Sequence, residues 1–281
     1  METTIEEPAS ATGILAPQRA SFHDNPWSTP LLGAIGVVAF MGVWELAPRI
    51  GLVNSDYLPP FSVVMVQLVS LLADPVFWEA LGDTMLSWLI GVAISLSAGA
   101  AIGLIIGSSE ALIRYTTSTI EFLRPIPSVA LIPIAIVLFG INSTATVFVI
   151  VWACFWVILV HVMSGIDDVD PVAESTARSY GLGWAWRARF VTFPTALPFL
   201  MTGLRLCGTI ALVVGITIEL VVGTPGLGEL IATSQSAGNV STVYALALLT
   251  GVLGLAINYG MKFIENRALH WHPSVRSEQP A

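Results

Sequence analysis

Residues 125–166 read PIPSVALIPIAIVLFGINSTATVFVIVWACFWVILVHVMSGI, a stretch without a single Asp, Glu, Lys or Arg. As one helix these residues would run about 63 Å, twice the roughly 30 Å of a bilayer's hydrocarbon core, so the stretch must turn once. The turn is written at Gly140-Ile141-Asn142-Ser143-Thr144, a cluster of loop formers between two apolar halves. Two membrane spans are therefore predicted here. The first opens on Arg124-Pro125-Ile126-Pro127 and carries Pro133 inside it, where a ring without an N–H weakens the helical ladder.

Working outward, Leu31 to Ala47 is an apolar run that ends at Pro48 and is flanked by Trp27 and Trp44, residues suited to the two water interfaces. Between Asp83 and Glu110 no residue is charged, and Gly91, Ser95, Gly99 and Gly103 recur every four positions. Small residues at that spacing form a face along which helix backbones approach closely in lipid, so a packing role is predicted for them. Pro198–Val222 and Thr242–Ile264 complete six spans. The 281 residues are 55% apolar and only 11% charged, with a mean hydropathy of +0.80, which excludes a large soluble domain. A net charge of −8 argues against a nucleic-acid partner, and Cys154 and Cys207, far apart in sequence, read as core filler. The expected organisation is a tail over 1–30, a six-span domain over 31–265 with its core at about 80–265, and a second tail over 266–281.

An even number of spans puts both termini on one side. Arg19, Arg114, Arg124, Arg178, Arg187, Arg189, Lys262, Arg267 and Arg276 fall in the tails and the 2–3 and 4–5 connections, against Arg49 alone on the other side. The positive-inside rule then places both ends in the cytoplasm.

Asp167 to Thr195 is a long connection with its own helix signals. Asp170 can cap, Pro171 suits the first helical position, Glu174 the first turn, and Gly181 the left-handed exit. A helix of about ten residues outside the membrane is predicted, its upper surface built from Ala173, Ser175, Ala177 and Ser179. Trp184, Trp186, Arg187 and Arg189 follow, a combination suited to the headgroup layer.

Thirteen residues beyond Gly181, Val191-Thr192-Phe193-Pro194 completes a segment that resembles the "EAA" loop of binding-protein-dependent ABC transporter permeases: Glu-Ala-Ala, three residues, Gly, nine residues, Ile, any residue, Leu-Pro. Leu123-Arg124-Pro125-Ile126-Pro127 with Ile132-Pro133 and Phe139-Gly140, then Gly203-Leu204-Arg205-Leu206, Glu219-Leu220 and Gly226-Leu227-Gly228, resemble the branch importing sulfonates, taurine, nitrate and related solutes. The resemblance covers roughly residues 57–270. It implies an all-α membrane protein of the type I ABC importer permease fold in the bacterial plasma membrane, with six transmembrane helices and a cytoplasmic coupling helix. It further implies a second permease copy, an ATPase dimer that binds ATP and Mg, and an extracytoplasmic solute-binding protein. Ala173, Glu174, Ser175, Ala177, Gly181 and Pro194 would then couple the chain to the ATPase. One departure stands out: Ser175 occupies the family's Glu position and Glu174 lies one residue early, about 100° round the helix.

No Gly-x-x-x-x-Gly-Lys-Ser/Thr loop exists, since the only lysine is Lys262, so no cofactor is expected in this chain. Neither do His23, His161, His270 and His272 make a metal-binding pattern; His161 reads as hydrogen-bonded within the bundle. Arg205 and Glu219 are the ionisable residues inside a span, fourteen residues and about 21 Å apart. Either both face a central pathway, with Pro133, or each snorkels or pairs with a neighbouring helix. Gly223–Gly228 and Glu229-Leu230-Ile231 read as an external loop and short helix, or as a partly re-entrant cap. The alternative class, an ATP-independent channel or ion-coupled transporter, calls for internal repeats or several acidic midplane residues, and neither is found.

Overall fold

A computed structural model describes residues 28–270, and every regular element among them is helical. The expected tails lie outside the described residues except for 28–30 and 266–270, and so does His272. Helix α1 spans Ser28–Arg49, α2 Phe61–Leu72, α3 Pro75–Gly107 and α4 Glu110–Leu123. After a break come a 3-10 turn, Ser128–Leu131, and α5, Ile132–Phe139. Helices α6 (Ser143–Asp167), α7 (Pro171–Ser179) and α8 (Trp184–Arg187) lead through a π-helical turn, Ala188–Thr192, into α9 (Phe193–Val222). The chain closes with α10 (Leu227–Ser236) and α11 (Val240–Ala268).

Five helices are long and apolar enough to cross a membrane by themselves, and the bent pair of α4 with Ser128–Phe139 makes the sixth. That sixth crossing differs from the straight span predicted from Pro125. Pro125 and Pro127 supply no N–H, the helix stops at Leu123, and the axis turns by 80° before α5 begins. Pro133 sits in the first turn of α5, where its missing N–H costs nothing, rather than inside a helix. Helix α2, twelve residues and about 18 Å long, is too short to cross and is not announced by any long hydropathy run. It packs with Phe77, Leu227, Ile231, Ala245 and Leu246 in one apolar cluster, and Trp44 of α1 reaches over it to donate its indole N–H to Pro59 O at 3.0 Å.

The core of the bundle is α3 against α6 against α9. Helix α3 starts on a capped turn, Asp74 accepting from Val76 N–H at 3.0 Å with Pro75 next, and runs 33 residues. Its small-residue ladder is the packing face that the sequence predicts. A Cβ at Gly99 would stand 2.9 Å from Ile158 Cβ and 3.1 Å from the Phe155 carbonyl oxygen, and one at Gly103 3.0 Å from Val162 Cβ. The partner row on α6, Ile150, Cys154, Ile158 and Val162, repeats every four residues in the same way, and all four are buried. Cys154 and Cys207 prove to be neighbours, each free thiol lying against the other's carbonyl oxygen at 3.6 and 3.4 Å, an adjacency that sequence separation hides. Asn142 caps α6 by accepting from Thr144 N–H at 2.8 Å, and Gly140 takes φ 75°, so the turn falls where its loop formers predict.

Candidate functional site

Helix α7 stands at the end of the bundle where α6 finishes and α9 begins. Asp170 accepts from Val172 N–H at 2.8 Å, and Pro171 takes the first turn. The exit is a Schellman turn: Gly181 N–H donates to Arg178 O at 2.9 Å and Leu182 N–H to Ala177 O at 3.1 Å, with Gly181 at φ +74°. Both ends are thus held by the residues that the sequence singles out for them.

The two faces of α7 differ from the predicted arrangement. Ala177 is buried and Ala173 half-buried, so these alanines turn toward the bundle, not outward. The outward face is Val172 (70% exposed), Ser175, Thr176, Ser179 and, just past the helix, Tyr180 (83% exposed). Its hydroxyls are spoken for: Ser175 donates to Pro171 O at 2.7 Å, Thr176 to Val172 O at 2.7 Å and Ser179 to Ser175 O at 3.0 Å. Among these side chains none is charged, and the hydroxyls of Ser175, Thr176 and Ser179 are all engaged within the helix. Glu174 lies at the side, its Oε1 taking Arg178 at 3.3 Å and Arg187 of α8 at 3.5 Å. Sequence reasoning missed Arg187 as its partner, because the turn between them brings together groups thirteen positions apart. Beneath α7 a cavity of about 470 Å³ separates it from the ends of α3 and α6. Pro194 is half-buried in the first turn of α9, directly after the π-helical turn.

At the opposite end of α9, Glu219 is completely buried. Its Oε2 accepts from Thr84 Oγ1 of α3 at 2.9 Å and from Gly228 N–H of α10 at 3.0 Å, while Thr84 Oγ1 accepts from Leu227 N–H at 2.8 Å. Glu219 and Thr84 thus cap α10 from two other helices, each accepting one orphan N–H of its first turn. A Cβ on Gly226 would fall on the Glu219 carboxyl group, and one on Gly228 on the backbone of Ile216 and Leu220. The Glu219-Leu220 and Gly226-Leu227-Gly228 segments are therefore one structural unit. Nearby, Thr146 and Thr224 share a buried hydroxyl contact of 2.9 Å. Arg205 is exposed and pairs with Glu265 of α11 at 3.3 Å, and His161 Nδ1 lies 2.8 Å from Val157 O. The pairing alternative thus accounts for Arg205, while Glu219 is enclosed by α3, α9 and α10 and Pro133 lies exposed on α5.

Residues 98–270 match the family described as the binding-protein-dependent transport system inner membrane component. The chain belongs to this family. It is 30% identical over 254 residues to the aliphatic sulfonates transport permease protein SsuC of Escherichia coli, covering 90% of this chain and 94% of that one. It is 26% identical to the taurine transport system permease protein TauC of the same organism (89% and 94% covered). The nitrate import permease protein NrtB of Synechocystis is also 26% identical (92% and 97%). Among solved structures, an amino acid ABC transporter superposes with a TM-score of 0.58 at 23% identity, covering 69% of this chain and 94% of its own. The inward-facing methionine transporter MetNI follows at 0.55 and 21%, covering 68% and 93%. The protein is a multi-pass membrane permease of the type I ABC importer fold.

Proposed function

We propose that two copies of this chain form the membrane pathway of an importer whose ATP and Mg are bound by two separate ATPase subunits docked on α7. In this reading α7 and both termini are cytoplasmic, in keeping with nine loop and tail basic residues against one. A solute-binding protein delivers its cargo at the α10 end. The cargo is a small solute bearing an oxyanion group, of the kind named for the relatives: a sulfonate, taurine or nitrate.

The observation that carries the coupling role is the outward face of α7. Val172, Ser175, Thr176, Ser179 and Tyr180 form a charge-free ridge on a helix fixed at both ends and tied sideways through Glu174 to α8. Such a ridge suits a cleft in another protein, whereas Ser175 stands at the family's acidic position and Glu174, one residue early, is engaged by the chain's own arginines. The test is to purify the tagged chain from its membranes in mild detergent and identify its companions by mass spectrometry. A P-loop ATPase is expected in the wild-type preparation and missing from Val172→Asp, which puts a charge on the ridge without touching the bundle. A chain that runs alone and still moves solute in vesicles without ATP contradicts the reading.

A further inference from the structure

Helix α8, the π-helical turn and the start of α9 carry an exposed aromatic stripe. Trp186, Phe190 and Phe193 follow at intervals of four and three positions along one continuous helical stretch, and each is half or more exposed. Trp186 and Phe190 stack with ring centroids 5.2 Å apart and planes 10° from parallel, and the Arg189 guanidinium lies 5.9 Å from the Phe190 ring centroid. The two arginines of this segment differ in what they have left to offer. Arg187 is taken by Glu174 at 3.5 Å, whereas Arg189 is exposed and makes no ion pair among the described residues. Two stacked rings and one uncommitted cation thus share a surface.

The depth of this surface follows from α3. Residues 84–107 of α3 carry no charge and run about 36 Å, enough to cross the roughly 30 Å of hydrocarbon, so the end of α3 stands at one face of that layer. Leu104, Gly107 and Ser108 at that end line the cavity beneath α7 together with Ala188 and Thr192 of the π-helical turn. The turn and α8 are therefore level with the lipid headgroups, where an aromatic ring meets a partly apolar layer and a guanidinium meets phosphate. The stripe also continues without a break into α9, a membrane-crossing helix, which makes lipid rather than another protein its neighbour.

We propose that Trp186, Arg189 and Phe190 form a binding surface for anionic phospholipid, the rings lying among the upper acyl carbons and the Arg189 guanidinium on the phosphate. A guanidinium fork matches phosphate oxygens, and one basic residue at an anionic surface gives about a fivefold preference for the charged lipid. The chain's path from α7 to α9 runs through this surface, so bound lipid fixes the pivot through which movement of α7 reaches the bundle. The lipid contact stands apart from the importer reading, and its effect on uptake rests on that reading.

The experiment uses the purified permease–ATPase complex in phosphatidylcholine vesicles, with phosphatidylglycerol or phosphatidylcholine probes that carry a nitroxide at the same shallow acyl position. The chain has nine tryptophans, so the difference in quenching between wild type and Trp186→Phe isolates Trp186. Trp186 is expected to be quenched by both probes, and at about fivefold lower content of the phosphatidylglycerol probe. Arg189→Gln is expected to remove that preference and Arg189→Lys to retain most of it. ATP-driven uptake of radiolabelled taurine, methanesulfonate and nitrate is then compared in phosphatidylcholine and in an equal mixture with phosphatidylglycerol. Uptake per ATP is expected to rise with phosphatidylglycerol in wild type and to stay at the phosphatidylcholine value in Arg189→Gln. Equal quenching by the two probes, or a preference unchanged in Arg189→Gln, overturns the anionic-lipid assignment. No quenching of Trp186 by either probe, with the ATPase lost from Trp186→Ser in detergent, gives the surface to the ATPase and overturns the lipid contact. Absence of ATP-driven uptake in both lipids, with the probe preference intact, overturns the importer reading and leaves the lipid surface standing.

Discussion

Removing the Glu219 side chain tests whether one carboxylate holds α10 in place. In Glu219→Ala the Gly228 N–H loses its acceptor, 3.0 Å away in the native chain, and Thr84 Oγ1 loses the partner it donates to at 2.9 Å. Each orphaned buried group costs about 1–3 kcal/mol, and partial relaxation of α10 brings the local total to about 2–4 kcal/mol. Global unfolding is a poor readout, because deleting a buried acid also relieves its desolvation. Amide hydrogen exchange in α10 isolates the effect: Leu227, Gly228 and the following turn are expected to exchange about 30- to 700-fold faster than wild type, at about 1.4 kcal/mol per decade. Glu219→Gln keeps an acceptor for both donors and is expected to preserve most of the protection. Protection at Leu227 and Gly228 unchanged within about threefold in Glu219→Ala would refute the clamp.

Gly181→Leu forces φ near +74° on a residue with a Cβ; nothing stands within 4 Å of that Cβ, so the cost is conformational alone, about 1–2 kcal/mol. It is expected to insert normally but uncouple ATP hydrolysis from uptake, and wild-type uptake by this variant would contradict the role of α7. Gly99→Ala drives a methyl group to 2.9 Å from Ile158 Cβ and is expected to cost about 1–3 kcal/mol in detergent unfolding, with a smaller cost in an Ile158→Ala background. Equal costs in both backgrounds would show that the ladder does not pack on α6. Arg205→Gln breaks an ion pair in which Arg205 is 45% exposed, so its cost is expected to stay under about 1 kcal/mol. A much larger loss of stability would contradict this weak pairing, and loss of transport with stability intact would support a pathway role.

Period and punctuation made most of the architecture legible. The four-residue recurrence from Gly91 to Gly103 announces a close helix contact, and the Asp170-Pro171 and Gly181 signals bracket α7 closely. The caps are local, involving atoms two to five residues apart, and local geometry is what a sequence pattern encodes. Helix α2 escaped because a mostly apolar helix of twelve residues satisfies no membrane-length criterion. The bend at Arg124 escaped because prolines announce a break without announcing its angle. The facing of α7 escaped for another reason: Ala173 and Ala177 mark a stripe of small residues, but smallness serves close packing inward as well as docking outward.

Arg205 and Glu219 show where reading charge along a helix stops. They lie on one helix and carry the same kind of signal, an ionisable group where lipid excludes it. Arg205 meets Glu265 sixty positions away and remains exposed. Glu219 meets Thr84, 135 positions away, and the Gly228 amide of α10, and is completely buried. The side chain's own identity decides neither outcome. For Glu219 the deciding residues are Gly226 and Gly228, because any Cβ there would occupy the carboxylate's space or collide with the backbone of α9. The sequence contains both glycines, and Glu219 seven and nine positions before them, but only the left-handed turn at Gly223 brings α10's amides back over the acid. An intramembrane charge is thus assigned by what its neighbours leave room for, and glycines a turn away are the residues to inspect before calling it a pathway group.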